Sequence, residues 1–80
     1  MRTKPKPSSK AFAADVRRQL SILREKRGMT QHELAKRSGV DRKTVNRIEN
    51  GHFSPSMDTF FRICGALGAK PADVLRGKRK

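Results

Sequence analysis

Arg42, Lys43, Asn46 and Arg47 are the residues of this chain whose types and spacing could do chemistry. At about 100° per residue along a helix, with Val45 and Ile48 turned inward, the four share the outward side of one short segment. Three cations and one carboxamide, with no acid among them, make a surface of hydrogen-bond donors backed by positive charge. A guanidinium can bridge the O6 and N7 acceptors of guanine, a carboxamide can pair with N6 and N7 of adenine, and an ammonium reaches guanine or a phosphate. An ordinary solvated helix face would mix signs and include glutamate. The expectation is that Arg42, Lys43, Asn46 and Arg47 contact bases of double-stranded DNA from the major groove.

Such a face is useful only if it is aimed. Thr30 and Glu33 form a T-x-x-E capping box, which predicts a helix from Gln31 to Arg37 or Ser38. Gly39 then suits a left-handed turn, Asp41 is the expected cap of the next helix, and Asn50-Gly51 closes that helix. Two helices crossing steeply over a three-residue turn need a small side chain where they touch, and Ala35 supplies it. Leu34 and Val40 fill the space between, and Val45 and Ile48 form the inner face of the second helix. These six apolar and small residues in register are a far more specific signal than any one of them.

The flanking segments read as helices too. Phe12, Val16, Leu20 and Leu23 form one stripe of a helix from about Ser9 or Lys10 to Arg27, stopped by Gly28. Ile22 lies off that stripe. HFSPS is a loop ending in Ser56, the expected cap of a fourth helix. Met57, Phe60, Phe61, Ile63, Cys64 and Leu67 are expected on one side of that helix as the main apolar wall, and Gly68 ends it. Pro71 begins a short fifth helix with Val74 and Leu75 as its apolar contacts. No strand alternation and no internal repeat appears, so the class is all-α.

Charge narrows the partner. The 80 residues hold 20 Lys and Arg against 7 Asp and Glu, a formal +13, and eight of those charges lie in residues 1–10 and 76–80, which contain no acid. The organisation expected is a disordered basic arm over 1–10, a DNA-binding body over 11–75 with its motif at about 31–50, and a basic tail over 76–80. Lys4, Lys6, Lys78, Arg79 and Lys80 are placed to neutralise phosphates. A membrane surface is disfavoured, because neither end carries Trp or a wide apolar helix face. The basic start is followed by mixed residues rather than an unbroken apolar run, so a secretory signal is not expected. The single cysteine fits a reducing compartment, and the expected location is cytoplasmic, on the nucleoid.

Other chemistries find little support. His32 and His52 have no partner at ligand spacing, so no metal or cofactor is expected, although His52, following Gly51, can touch a phosphate. Cys64 reads as a small core hydrophobe, and no convergent acid, base and nucleophile suggests an enzyme. RNA is disfavoured because Met57, Phe60 and Phe61 are expected in the core, leaving no aromatic to stack unpaired bases.

The stretch from Leu20 to Leu75, with LREKRGMTQHELAKRSGVDRKTVNRIENG followed by PSMDTFFRICGALG, resembles the Cro/phage-repressor helix-turn-helix family, also called XRE-type. The resemblance covers about 56 of the 80 residues. It implies a five-helix repressor-like DNA-binding domain with Arg42 to Glu49 as the recognition helix. It further implies base contacts at Arg42, Lys43 and Arg47, phosphate contacts at Gln31 and Thr44, and a partly buried salt bridge between Arg24 and Glu49. Lys70 departs from the pattern, since a capping Ser or Thr usually stands there.

The function expected is that of a sequence-specific transcriptional regulator, a repressor binding a palindromic operator as a homodimer. One recognition helix reads too few base pairs to be selective, whereas two related by a two-fold axis read half-sites about 34 Å apart. Val74, Leu75 and Ile22 are the spare apolar residues expected to serve pairing. The alternative is an antitoxin component or a restriction-modification controller, which would add a toxin or other protein partner to the same DNA-binding surface.

Overall fold

A computed structural model describes residues 9–76, and their side chains from Ala11 onward. The basic residues expected to act as arms, Lys4, Lys6, Lys78, Arg79 and Lys80, lie outside the described residues. Five helices follow in order: α1 Ser9–Lys26, α2 Gln31–Ser38, α3 Arg42–Glu49, α4 Met57–Leu67 and α5 Pro71–Leu75. Among the described residues there is no strand.

The boundaries follow from local chemistry. Thr30 caps α2 as expected, its hydroxyl accepting from the Glu33 amide while the Glu33 carboxylate accepts from the Thr30 amide. Gly39 ends α2 at φ 73°, a left-handed conformation in which any other residue would strain, and its amide donates back to the Ala35 carbonyl. Ser56 caps α4 through the Thr59 amide. The α3 start differs from expectation. Asp41 occupies the cap position with extended backbone, but its side chain makes no capping hydrogen bond. Its carboxylate is left to act on the positive end of the helix dipole alone. Lys70 likewise precedes α5 without a side-chain cap.

The core is built from Leu20 of α1, Leu34 and Ala35 of α2, Val45 and Ile48 of α3, Phe60, Ile63, Cys64 and Leu67 of α4, and Val74 of α5, with Met29 closing the α1–α2 corner. Burying each of the larger side chains contributes about 1.5–3 kcal/mol. Val16, Leu23 and Val40 are partly buried against this cluster. Ser38 is buried as well, and its hydroxyl donates to the Leu34 carbonyl at 2.7 Å.

Three assignments from periodicity are corrected. Phe12 is 49% exposed, Met57 70% and Phe61 52%, so none is core. Phe12 and Met57 sit in the first turns of α1 and α4 and line an open groove rather than the closed core. Phe61 follows Phe60 by about 100° around α4, which carries it past the arc shared by the buried Phe60, Ile63, Cys64 and Leu67. Val74, in contrast, is not spare but 3% exposed, while Leu75 and Ile22 stay open at 45% and 41%. With Phe53 at 47%, exposed aromatics do exist.

Candidate nucleic-acid interface

α3 owes its direction to the α2–α3 crossing. Ala35, 6% exposed, lets the two helices approach, and Val45 and Ile48, 1% and 2% exposed, lock the inner face of α3 into the core. Arg42, Lys43, Asn46 and Arg47 are then all exposed, on the opposite side. Among the described residues no carboxylate lies within ion-pair distance of Arg42, Lys43 or Arg47. The face is therefore a set of unneutralised cations on a rigid support. Thr44 and Gln31 are half-buried beside it, and His52 is exposed just past the helix.

Behind this face lies a polar cluster that ties α1, α2 and α3 together. Arg24 approaches Glu49 side-on, its Nε donating to Oε2 at 2.8 Å and its Nη2 to Oε1 at 3.0 Å. Its remaining Nη1 donates to the Met29 carbonyl at 2.7 Å. Both side chains are largely buried. Hydrogen bonding to Glu49 holds the Arg24 pKa above its ordinary value, against the opposing effect of burial. Ser21 Oγ donates to the same carboxylate at 3.3 Å. The salt bridge implied by the family resemblance is thus present, and it is larger than a pair.

The cluster continues outward to the cationic face. Gln31 Nε2 donates to Glu49 Oε1 at 2.9 Å, Asn46 Nδ2 donates to Gln31 Oε1 at 3.0 Å, and Asn50 Nδ2 donates to Asn46 Oδ1 at 3.2 Å. Three of the expected site residues, Gln31, Asn46 and Glu49, are in this way joined into one chain. Sequence reasoning placed them separately and missed Asn50.

Arg17 was also missed. Its guanidinium lies over Gly51, where a Cβ would come within 2.9 Å of Nε. A cation is thereby set at the C-terminal end of α3, the negative end of its dipole. The only signal in the sequence is its position one helical turn before Leu20 and Ser21 on α1.

Arrangement and chemistry agree with the comparisons. A helix-turn-helix family model matches residues 20–75. The chain is 39% identical over 59 residues to an HTH-type transcriptional regulator of Archaeoglobus fulgidus, covering 74% of this chain and 83% of that protein. It is 38% identical over 48 residues to antitoxin HipB of Escherichia coli, covering 60% of this chain and 51% of that protein. Among solved structures it resembles the restriction-modification controller protein C.AhdI of Aeromonas hydrophila, with TM-score 0.76 and 30% identity over 80% of this chain and 97% of that one. An unneutralised cationic helix face held by a glycine-turned helix pair, within a matched region that runs from the C-terminal part of α1 to the end of α5, places this chain in the XRE-type helix-turn-helix family of DNA-binding transcriptional regulators.

Proposed function

We propose that this protein is a repressor that binds a palindromic operator as a homodimer, acting on the nucleoid in the cytoplasm. The observation that supports it best is the exposure of Arg42, Lys43 and Arg47 without acidic partners on a helix whose other side is locked into the core. In this reading Arg42, Lys43, Asn46 and Arg47 read base edges in the major groove. Thr44, His52 and the N-terminal end of α2 at Gln31 hold the phosphates on either side. Gln31 has one amide N–H left after its bond to Glu49 and its own backbone N–H at the first helical position. The basic residues of 1–10 and 76–80 add affinity without sequence information.

Pairing needs a surface, and an exposed apolar groove supports this reading. Phe12, Phe53, Met57, Phe61 and Leu75 line a single open groove beside the loop that leaves α3. A second copy seated there packs beyond the C-terminal end of α3, which suits a two-fold axis lying midway between two recognition helices about 34 Å apart. The same groove favours a second reading. C.AhdI is a restriction-modification controller and HipB an antitoxin, so an additional protein partner of that kind is a coherent alternative use of the apolar residues.

Selection of bound duplexes from a random library tests the main reading. A consensus of two inverted half-sites, centred about one helical turn apart, is expected. A single unrepeated half-site would remove the homodimer, and enrichment of no sequence would remove the base contacts.

A further inference from the structure

We infer that Glu49 and Gln31 are positioning residues for Asn46, and that they set which way round its carboxamide meets a base. The inference rests on the reading of Asn46 as a base contact and deepens it. Its starting point is an asymmetry. A carboxylate held side-on by Arg24 can only accept hydrogen bonds, whereas each amide carries an NH2 at one end and an oxygen at the other.

The direction of the whole chain follows from that one group. Gln31 must turn its NH2 toward Glu49 Oε1, which points its oxygen at α3. Asn46 must answer with its own NH2, which leaves its oxygen to accept from Asn50. One N–H and one lone pair of Asn46 remain unused, on an exposed residue. That is the complement of adenine in the major groove, where N7 accepts and N6 donates. A carboxamide free of this chain flips by 180° and offers the same two groups in the opposite order. With the chain in place, the order is fixed before DNA arrives, and the ordering of the side chain need not be supplied by binding.

Glu49 itself is nearly out of solvent, with a side chain 6% exposed, and touches no base-reading residue except through Gln31. The buried ion pair is therefore tied by two hydrogen bonds to one hydrogen-bonding group at the surface. A salt bridge that served stability alone would have no reason to end in an exposed amide of the recognition helix.

The experiment compares Gln31→Met, Asn46→Ala and the double variant on the selected operator and on duplexes changed at each base pair in turn. Gln31→Met removes the link but leaves the two Arg24–Glu49 bonds intact, and thermal unfolding verifies the fold. Asn46→Ala is expected to lose roughly 5- to 100-fold discrimination at one base pair of each half-site. Gln31→Met is expected to lose part of the discrimination at that same base pair, and the double variant to lose no more than Asn46→Ala. Asn50→Ala, at the far end of the chain and exposed, should soften the same position without touching the core. Gln31→Met already loses a phosphate contact, so uniform weakening of every duplex is expected in either case. Weakening with no change of preference at the Asn46 base pair would overturn the inference and leave Gln31 as a phosphate contact alone. Asn46→Ala without any change in base preference would instead overturn the base-contact reading on which the inference stands.

Discussion

Arg24 and Glu49, 25 residues apart, meet side-on through two hydrogen bonds of 2.8 and 3.0 Å, with 12% and 6% of their side chains exposed. Taking two charges out of water offsets much of their attraction, so the pair is weak evidence of net stability. Breaking it from one side is another matter. Arg24→Met leaves a buried carboxylate with only Ser21 and Gln31 as donors and also frees the Met29 carbonyl. A loss of about 3–5 kcal/mol is expected. Replacing both partners by methionine should cost clearly less than the single change, because no uncompensated charge remains. Urea unfolding of the two variants checks this, and equal losses would mean that packing, not charge, explains the first.

Arg47 is exposed, unpaired and one turn beyond Lys43 on the outward side of α3. Arg47→Ala should weaken binding to the preferred duplex by about 1–3 kcal/mol and relax the preference at one base pair. Thermal stability should stay within about 0.5 kcal/mol, since nothing in the core touches it. Competition titrations against base-substituted duplexes separate base reading from phosphate contact, because a phosphate contact loses affinity on all of them alike.

The apolar groove yields a prediction about assembly. Phe53 and Phe61 are about half exposed, so Phe53→Ser with Phe61→Ser removes apolar surface from solvent and should leave the fold intact. If the groove seats a second copy, sedimentation shows a shift toward monomer, and operator affinity falls together with cooperativity. An unchanged dimer would move the two-fold interface elsewhere, to Ile22 first, and would leave the groove to another protein.

What was legible beforehand divides along physical lines. The five helices and the hinge were readable because caps, glycines and periodicity are local, and each acts within four residues. The outward face of α3 was readable for the same reason, once Val45 and Ile48 fixed the inner side. Burial at Phe12, Met57 and Phe61 was not, because a periodic stripe names a helix face without saying whether another element covers its end. The amide chain was invisible in a different way. Gln31 on α2 and Asn46 and Glu49 on α3 belong to two helices whose distance is set only by the crossing, and hydrogen bonds between side chains on separate elements leave no spacing signal.

Gly65 stands in the last turn of α4, exposed, with nothing within 4 Å of where a Cβ would lie. Its backbone is helical, unlike that of Gly39. Glycine at such a place is held at a cost of roughly 0.5–1 kcal/mol relative to alanine, chiefly through the freedom it has when unfolded. Gly65→Ala should therefore raise Tm by about 2–8 °C for a domain of this size, with DNA affinity unchanged. A fall in Tm would show that this face of α4 is covered in solution, which would point to an assembly using it.

Cys64 is fully buried on the inner face of α4, and burial pushes its thiol up from 9.0 to about 11. Both folded and unfolded chains hold the proton below pH 9, so the contribution of this group is constant there. Above pH 9 the unfolded chain loses the proton while the folded one keeps it, so the unfolded state is favoured increasingly as the pH rises to about 11. Urea midpoints measured from pH 8 to 11 should fall more steeply for the parent chain than for Cys64→Ala, once the lower starting stability of the variant is allowed for. Alkylation of the thiol should track unfolding rather than thiolate content, because the reactive form is reached only when the helix opens. Parallel pH slopes for the two chains, or rapid alkylation of the folded protein at pH 8, would show that α4 exposes this side chain far more often than its complete burial in the core implies.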